Sequence, residues 1–131
     1  MKKTNNKGIT ILALIIWVLI IGAAILYAPK AYHFVIEQTT IRLITSNVEK
    51  AETEIRSELI NTHPVHLWNR MDNLIRGLSL INPITKEIQT KNGWNKPGEV
   101  IITFDGINLF RLDGIGPDGS SLRLNVLVQR N

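Results

Sequence analysis

A chain of 131 residues has room for one small domain and little else. Its 15 lysines and arginines outnumber 11 aspartates and glutamates, for a net charge of +4 and a pI near 9.6, yet Lys2, Lys3 and Lys7 stand together at the amino end, and without them the balance is 12 to 11. The basic excess is therefore local, which argues against an extended nucleic-acid surface and leaves a local patch as the one form such binding would take; with no cysteine, disulfide staples are excluded.

In chain order, the leader MKKTNNKG (1–8) comes first and ends on Gly8. From Ile9 to Ala28 there are twenty residues without a charge. As a helix rising about 1.5 Å per residue they span about 30 Å, the thickness of a bilayer's hydrocarbon core. Cytoplasmic lysines orient such a span with the amino end inside, so the chain from Lys30 onward lies outside. A secretory signal peptide places its cleavage site after a shorter apolar core. Here a basic leader closes on glycine before a run long enough to be retained.

The stretch Gly8-Ile9-Thr10-Ile11-Leu12-Ala13-Leu14, continued by Gly22-Ala23-Ala24 and closed by Ala28-Pro29-Lys30-Ala31-Tyr32, resembles the amino terminus of the type IV pilin and pseudopilin family. The likeness covers roughly the first third of the chain. It implies cleavage by a prepilin peptidase between Gly8 and Ile9, methylation of the new Ile9 amine, and extraction by a pilus assembly platform into a filament of like or related subunits. Lipid tails are as apolar as the helix, so close packing must drive that step, and Gly22, Ala23 and Ala24 are the small residues expected to permit it. Most members carry glutamate at the fifth position after the cut, where this chain has Ala13. The resemblance then implies a minor or atypical subunit. Pro29 also arrives one residue earlier than usual. The alternative is an unprocessed, single-pass anchor carrying a binding or adhesive module. Either way the expected location is the cytoplasmic membrane, followed for a pilin by a cell-surface or periplasmic filament.

Beyond Pro29 the segment 29–61 continues the helix as an amphipathic rod. Ile41, Ile44, Val48, Ala51 or Glu52, Ile55 and Leu59 recur every three or four residues, and Glu52 stands four before Arg56. Pro64 sets its end near Asn61. The head, 62–131, is expected to open with a helix over Val65–Arg76, its stripe made by Leu67, Met71, Leu74 and Ile75 with Leu78 beyond, closed by Gly77 and Asn82-Pro83. Thr85–Gly98 reads as a polar surface loop. Val100–Phe104 and Ile107–Leu112 flank Asp105-Gly106, which predicts a two-residue hairpin turn. GIGPDG (114–119) is a second turn, and alternation from Leu122 to Val128 predicts a third strand. The fold class is α+β, a long amino-terminal helix packed on a small head with a short helix and a three-stranded antiparallel meander. That outline also resembles the pilins, and the segment Asn82–Thr85 with the closing P-G-x-V…DG…DG pattern is similar to pilin-like proteins of Gram-positive bacteria.

No nucleophile elbow, phosphate loop or zinc-helix motif is present, so no enzyme and no cofactor is expected. His63 and His66 lie three apart with no third ligand nearby and read as a polar helix start rather than a metal site. Asp118, with Asp113, offers too few oxygens for calcium and reads as a turn. His33 with Tyr32 and Phe34 suits a membrane interface. Trp17 falls within the span, while Trp68 and Trp94 are expected in the core or rim of the head.

Overall fold

A computed structural model describes residues 2–93 and 96–130, with side chains from Thr10 onward. Three helices, α1 (Lys2–Leu59), α2 (Pro64–Asn69) and α3 (Met71–Leu78), precede three strands, β1 (Val100–Phe104), β2 (Leu109–Gly114) and β3 (Val126–Gln129). The class is α+β. The chain divides into two compact units, one ending at Ile36 and one beginning at Glu37.

The second unit has a core built from every element. Ile44, Val48, Ala51, Ile55 and Leu59 are buried on one face of α1, so Ala51 rather than Glu52 completes the stripe. Glu52 instead accepts hydrogen bonds from Arg56 Nε and Nη2 at 3.0 and 2.9 Å. After Leu59 the chain turns, and Pro64 starts α2 at a position where its missing N–H is no loss.

The expected helix over Val65–Arg76 is two helices. Arg70, at φ −108° and ψ 15°, ends α2 by donating its N–H to Leu67 O at 3.0 Å and starts α3 by accepting from Leu74 N–H at 3.0 Å. The break keeps Leu67 on one side and Met71 and Ile75 on the other directed into the same core. Gly77 lies inside α3 rather than ending it, and Ser79 in the left-handed region (φ 52°) closes that helix.

The sheet is antiparallel in the order β1-β2-β3. Its inner face carries Val100, Ile102, Phe110, Leu112 and Val128, with Phe104 and Phe110 stacked at 4.6 Å and Trp68 at 5.7 Å from Phe104. Trp68 therefore packs on the core, as expected of a core or rim residue; Trp94 lies outside the described residues. At Gly114 the sheet lies close against α1: a Cβ there would stand 2.4 Å from Ile44 Cγ2.

Two strand boundaries differ from expectation. The β1–β2 connection is four residues long, because one Asp105 carboxylate oxygen accepts from the N–H groups of Ile107, Asn108 and Leu109 at 2.8, 3.0 and 3.1 Å. That side-chain turn delays β2 to Leu109. The third strand starts at Val126 rather than Leu122, because Arg123 and Asn125 adopt φ 55° and 50°. Their segment is held by Asp113 instead, which accepts from Leu124 N–H at 3.1 Å and from the Ser121 hydroxyl.

Candidate functional site

The amino-terminal unit is defined by what does not cover it. From Ile11 to Tyr27 thirteen large apolar side chains are each 48% to 71% exposed. At about 2 kcal/mol for fully burying each such side chain, and with about three-fifths of each still exposed, covering them is worth on the order of 15 kcal/mol. That rivals the whole stability of an ordinary small domain, so this surface favours an apolar environment. Among the described residues α1 is the one helix long and apolar enough to cross a membrane. Pro29 is accommodated within it.

The expected site residues distribute along this helix. Gly8 and Ile9 belong to α1, and the Ile9 side chain lies outside the described residues. Ala13 is exposed, with leucine and isoleucine as neighbours and no carboxylate in its place. Gly22, Ala23 and Ala24 are consecutive, so at about 100° per residue Gly22 and Ala24 point to opposite sides. They form a narrow waist rather than one flat face, and a methyl group built on Gly22 meets nothing within 4 Å. The face that small residues do share runs through Ala24, Ala28 and Ala31, at helical spacings of four and three.

The possible metal ligands have other work. His63 Nδ1 accepts from Val65 N–H at 3.3 Å and caps α2, with the His66 ring 5.8 Å away edge-on. Asp118 Oδ1 accepts from both the N–H and the hydroxyl of Ser120, and these bonds hold its carboxyl below the usual carboxylate range. Among the described residues no three His, Asp or Glu side chains converge. Burial pushes the Glu99 carboxyl up, partly opposed by Lys96.

Sequence reading missed four buried carboxamides: Asn47, Asn82, Gln89 and Asn92. Asn47 Nδ2 donates to Ile81 O at 2.9 Å, which ties α1 to the segment after α3. Asn82 donates to Pro97 O and accepts from Ile84 and Thr85 N–H groups. Gln89 and Asn92 reach the backbone of β1. The stretch 85–98 expected to be a surface loop is thus partly structural filling. A polar side chain in a turn-rich stretch gives no periodic signal, so only the tertiary fold reveals these as buried.

Compared with family models, curated proteins and solved structures, the chain matches none.

Proposed function

We propose that this chain is a structural subunit of a type IV pilus or a type II secretion-like pseudopilus, cut between Gly8 and Ile9 and assembled through the helix that follows. The observation that carries the reading is the uncovered, uncharged face of α1 from Ile11 to Tyr27 directly behind a basic leader ending in glycine. Lipid satisfies that face before assembly, and sister helices satisfy it afterwards. Ala13 supports a minor or atypical role, since a carboxylate in hydrocarbon needs a partner and an alanine recruits none. On this reading the partners are a prepilin peptidase, other pilin or pseudopilin subunits, membrane lipid and an assembly platform, and the amino end of the precursor is cytoplasmic.

The chain has no cysteine, so a single Leu26→Cys change gives one reporter in the most exposed part of the span. Sheared and denatured surface filaments should then contain the thiol-labelled Leu26→Cys chain, at far lower abundance than a glutamate-bearing major pilin. Leu26→Cys protein found wholly in the membrane and never in sheared filaments, whether or not the assembly machinery is present, would instead favour the unprocessed anchor with a binding head.

A further inference from the structure

The two edges of the sheet are treated differently. On β1 the outward backbone groups are consumed by side chains. Val100 N–H donates to Gln89 Oε1 at 2.9 Å and its carbonyl accepts from Gln89 Nε2 at 2.7 Å. Ile102 N–H donates to Asn92 Oδ1 at 2.8 Å and its carbonyl accepts from Asn92 Nδ2 at 2.6 Å. Each carboxamide thus imitates one residue of a neighbouring strand, so the Val100–Ile102 stretch of this edge is already paired.

The same bonds fix what β3 presents. With Val100 and Ile102 turned away from β2, the bonded pairs of that ladder are Ile101–Asp113 and Thr103–Arg111. Alternation then directs Phe110 and Leu112 at Val128 and Val126, and leaves the N–H and carbonyl groups of Leu127 and Gln129 facing outward. Among the described residues, the one group bonded to that row is Arg56 Nη2, which donates to Leu127 O at 3.2 Å. Beside the edge lies a cleft of about 380 Å³ lined by Arg56, Leu59, Ile60, Val128, Gln129 and Arg130. Two guanidinium groups line it, that of Arg130 and that of Arg56, the latter also paired with Glu52 at 2.9 Å, next to the bare side chains of Ile60 (74% exposed) and Leu127 (47% exposed).

We infer that the β3 edge is a docking site for an extended segment of a partner protein, added as a fourth strand and carrying acidic and apolar residues in alternation. Its backbone takes the outward groups of Leu127 and Gln129, its carboxylates meet Arg56 and Arg130 on the cleft side, and its apolar side chains cover Leu127 on the other face. The incoming N–H replaces Arg56 on the Leu127 carbonyl, and the guanidinium, which stays paired with Glu52, offers its remaining N–H groups to the new carboxylate. A second β3 is the poorer occupant, because it would set Arg56 and Arg130 of one copy against those of the other. This inference is independent of leader cleavage and of filament assembly.

The test uses the full chain, labelled with ¹⁵N in detergent micelles, and a capped hexapeptide of alternating valine and glutamate. Binding should shift the Leu127 and Gln129 amide resonances, and Arg56→Gln should weaken it about threefold, the scale of one cross-strand charge pair. Leu127→Pro should abolish it, since proline removes an outward N–H while the Val126 and Val128 bonds to β2 remain; Leu127→Ala should retain it. The same peptide N-methylated at alternate amides, used on the unaltered chain, should not bind. Equal affinity for a valine–lysine peptide or for the N-methylated one, or shifts that map away from β3, would overturn the assignment. So would self-association through these amides without peptide, which would give the edge to a second copy.

Discussion

At the scale of single residues, the head depends on a few polar groups whose partners are backbone. Asn92 satisfies both the N–H and the carbonyl of Ile102 in the interior. Asn92→Ala strands both, and an unmet buried polar group costs about 1–3 kcal/mol. Chemical unfolding followed by near-ultraviolet circular dichroism should show a loss of that size, and an unchanged midpoint would contradict the role given to Asn92. Gly114 makes a different demand, since the space over its Cα belongs to Ile44. Gly114→Ala should cost about 1–3 kcal/mol by overpacking, and Ile44→Leu in the same chain, which removes the β-branch methyl, should recover part of it.

Asp105 sets a pH dependence. Three N–H groups from Ile107, Leu109 and Asn108 hold its carboxyl below the usual range in the folded chain. A group with a depressed folded pKa stabilises the fold above its unfolded pKa, and that stabilisation is lost as pH falls through the folded value. The β1–β2 connection should therefore loosen below about pH 4, the ordinary aspartate value. Amide exchange at Ile107 and Leu109 should rise there, whereas in Asp105→Asn it should vary much less over the same range.

At the scale of elements, legibility followed periodicity. The α1 stripe from Ile44 to Leu59 was readable because one face repeats every three or four residues for four turns. The three strands were readable because turn residues separate alternating runs. What escaped was decided by single side chains acting out of pattern. Arg70 splits one apparent helix in two without a glycine or proline to announce it. Asp105 lengthens a turn that Asp-Gly otherwise marks as two residues long. Asp113 draws 121–124 away from a strand that alternation favours. Gly77 looked like a terminator, yet a methyl built there meets nothing within 4 Å, and the turn falls to Ser79. Each miss is a side chain hydrogen bonding to backbone, or a backbone dihedral, and neither leaves a trace in hydropathy.

At the scale of the whole molecule, the sequence separates two solvents. The head buries a core of apolar side chains, whereas the span from Ile11 to Tyr27 hides none of its large ones within the chain. Such a span is stable in lipid or among like helices, and in the proposed function removal of the leader after Gly8 is the step that converts an anchor into a subunit. The most direct measurement is the intact mass of the mature protein purified from cells that contain a prepilin peptidase. It should equal the chain beginning at Ile9 and carrying one extra methyl group, and Gly8→Val should restore the full-length mass. A full-length chain in the unaltered protein, or one trimmed beyond Ala28, would contradict the proposed role.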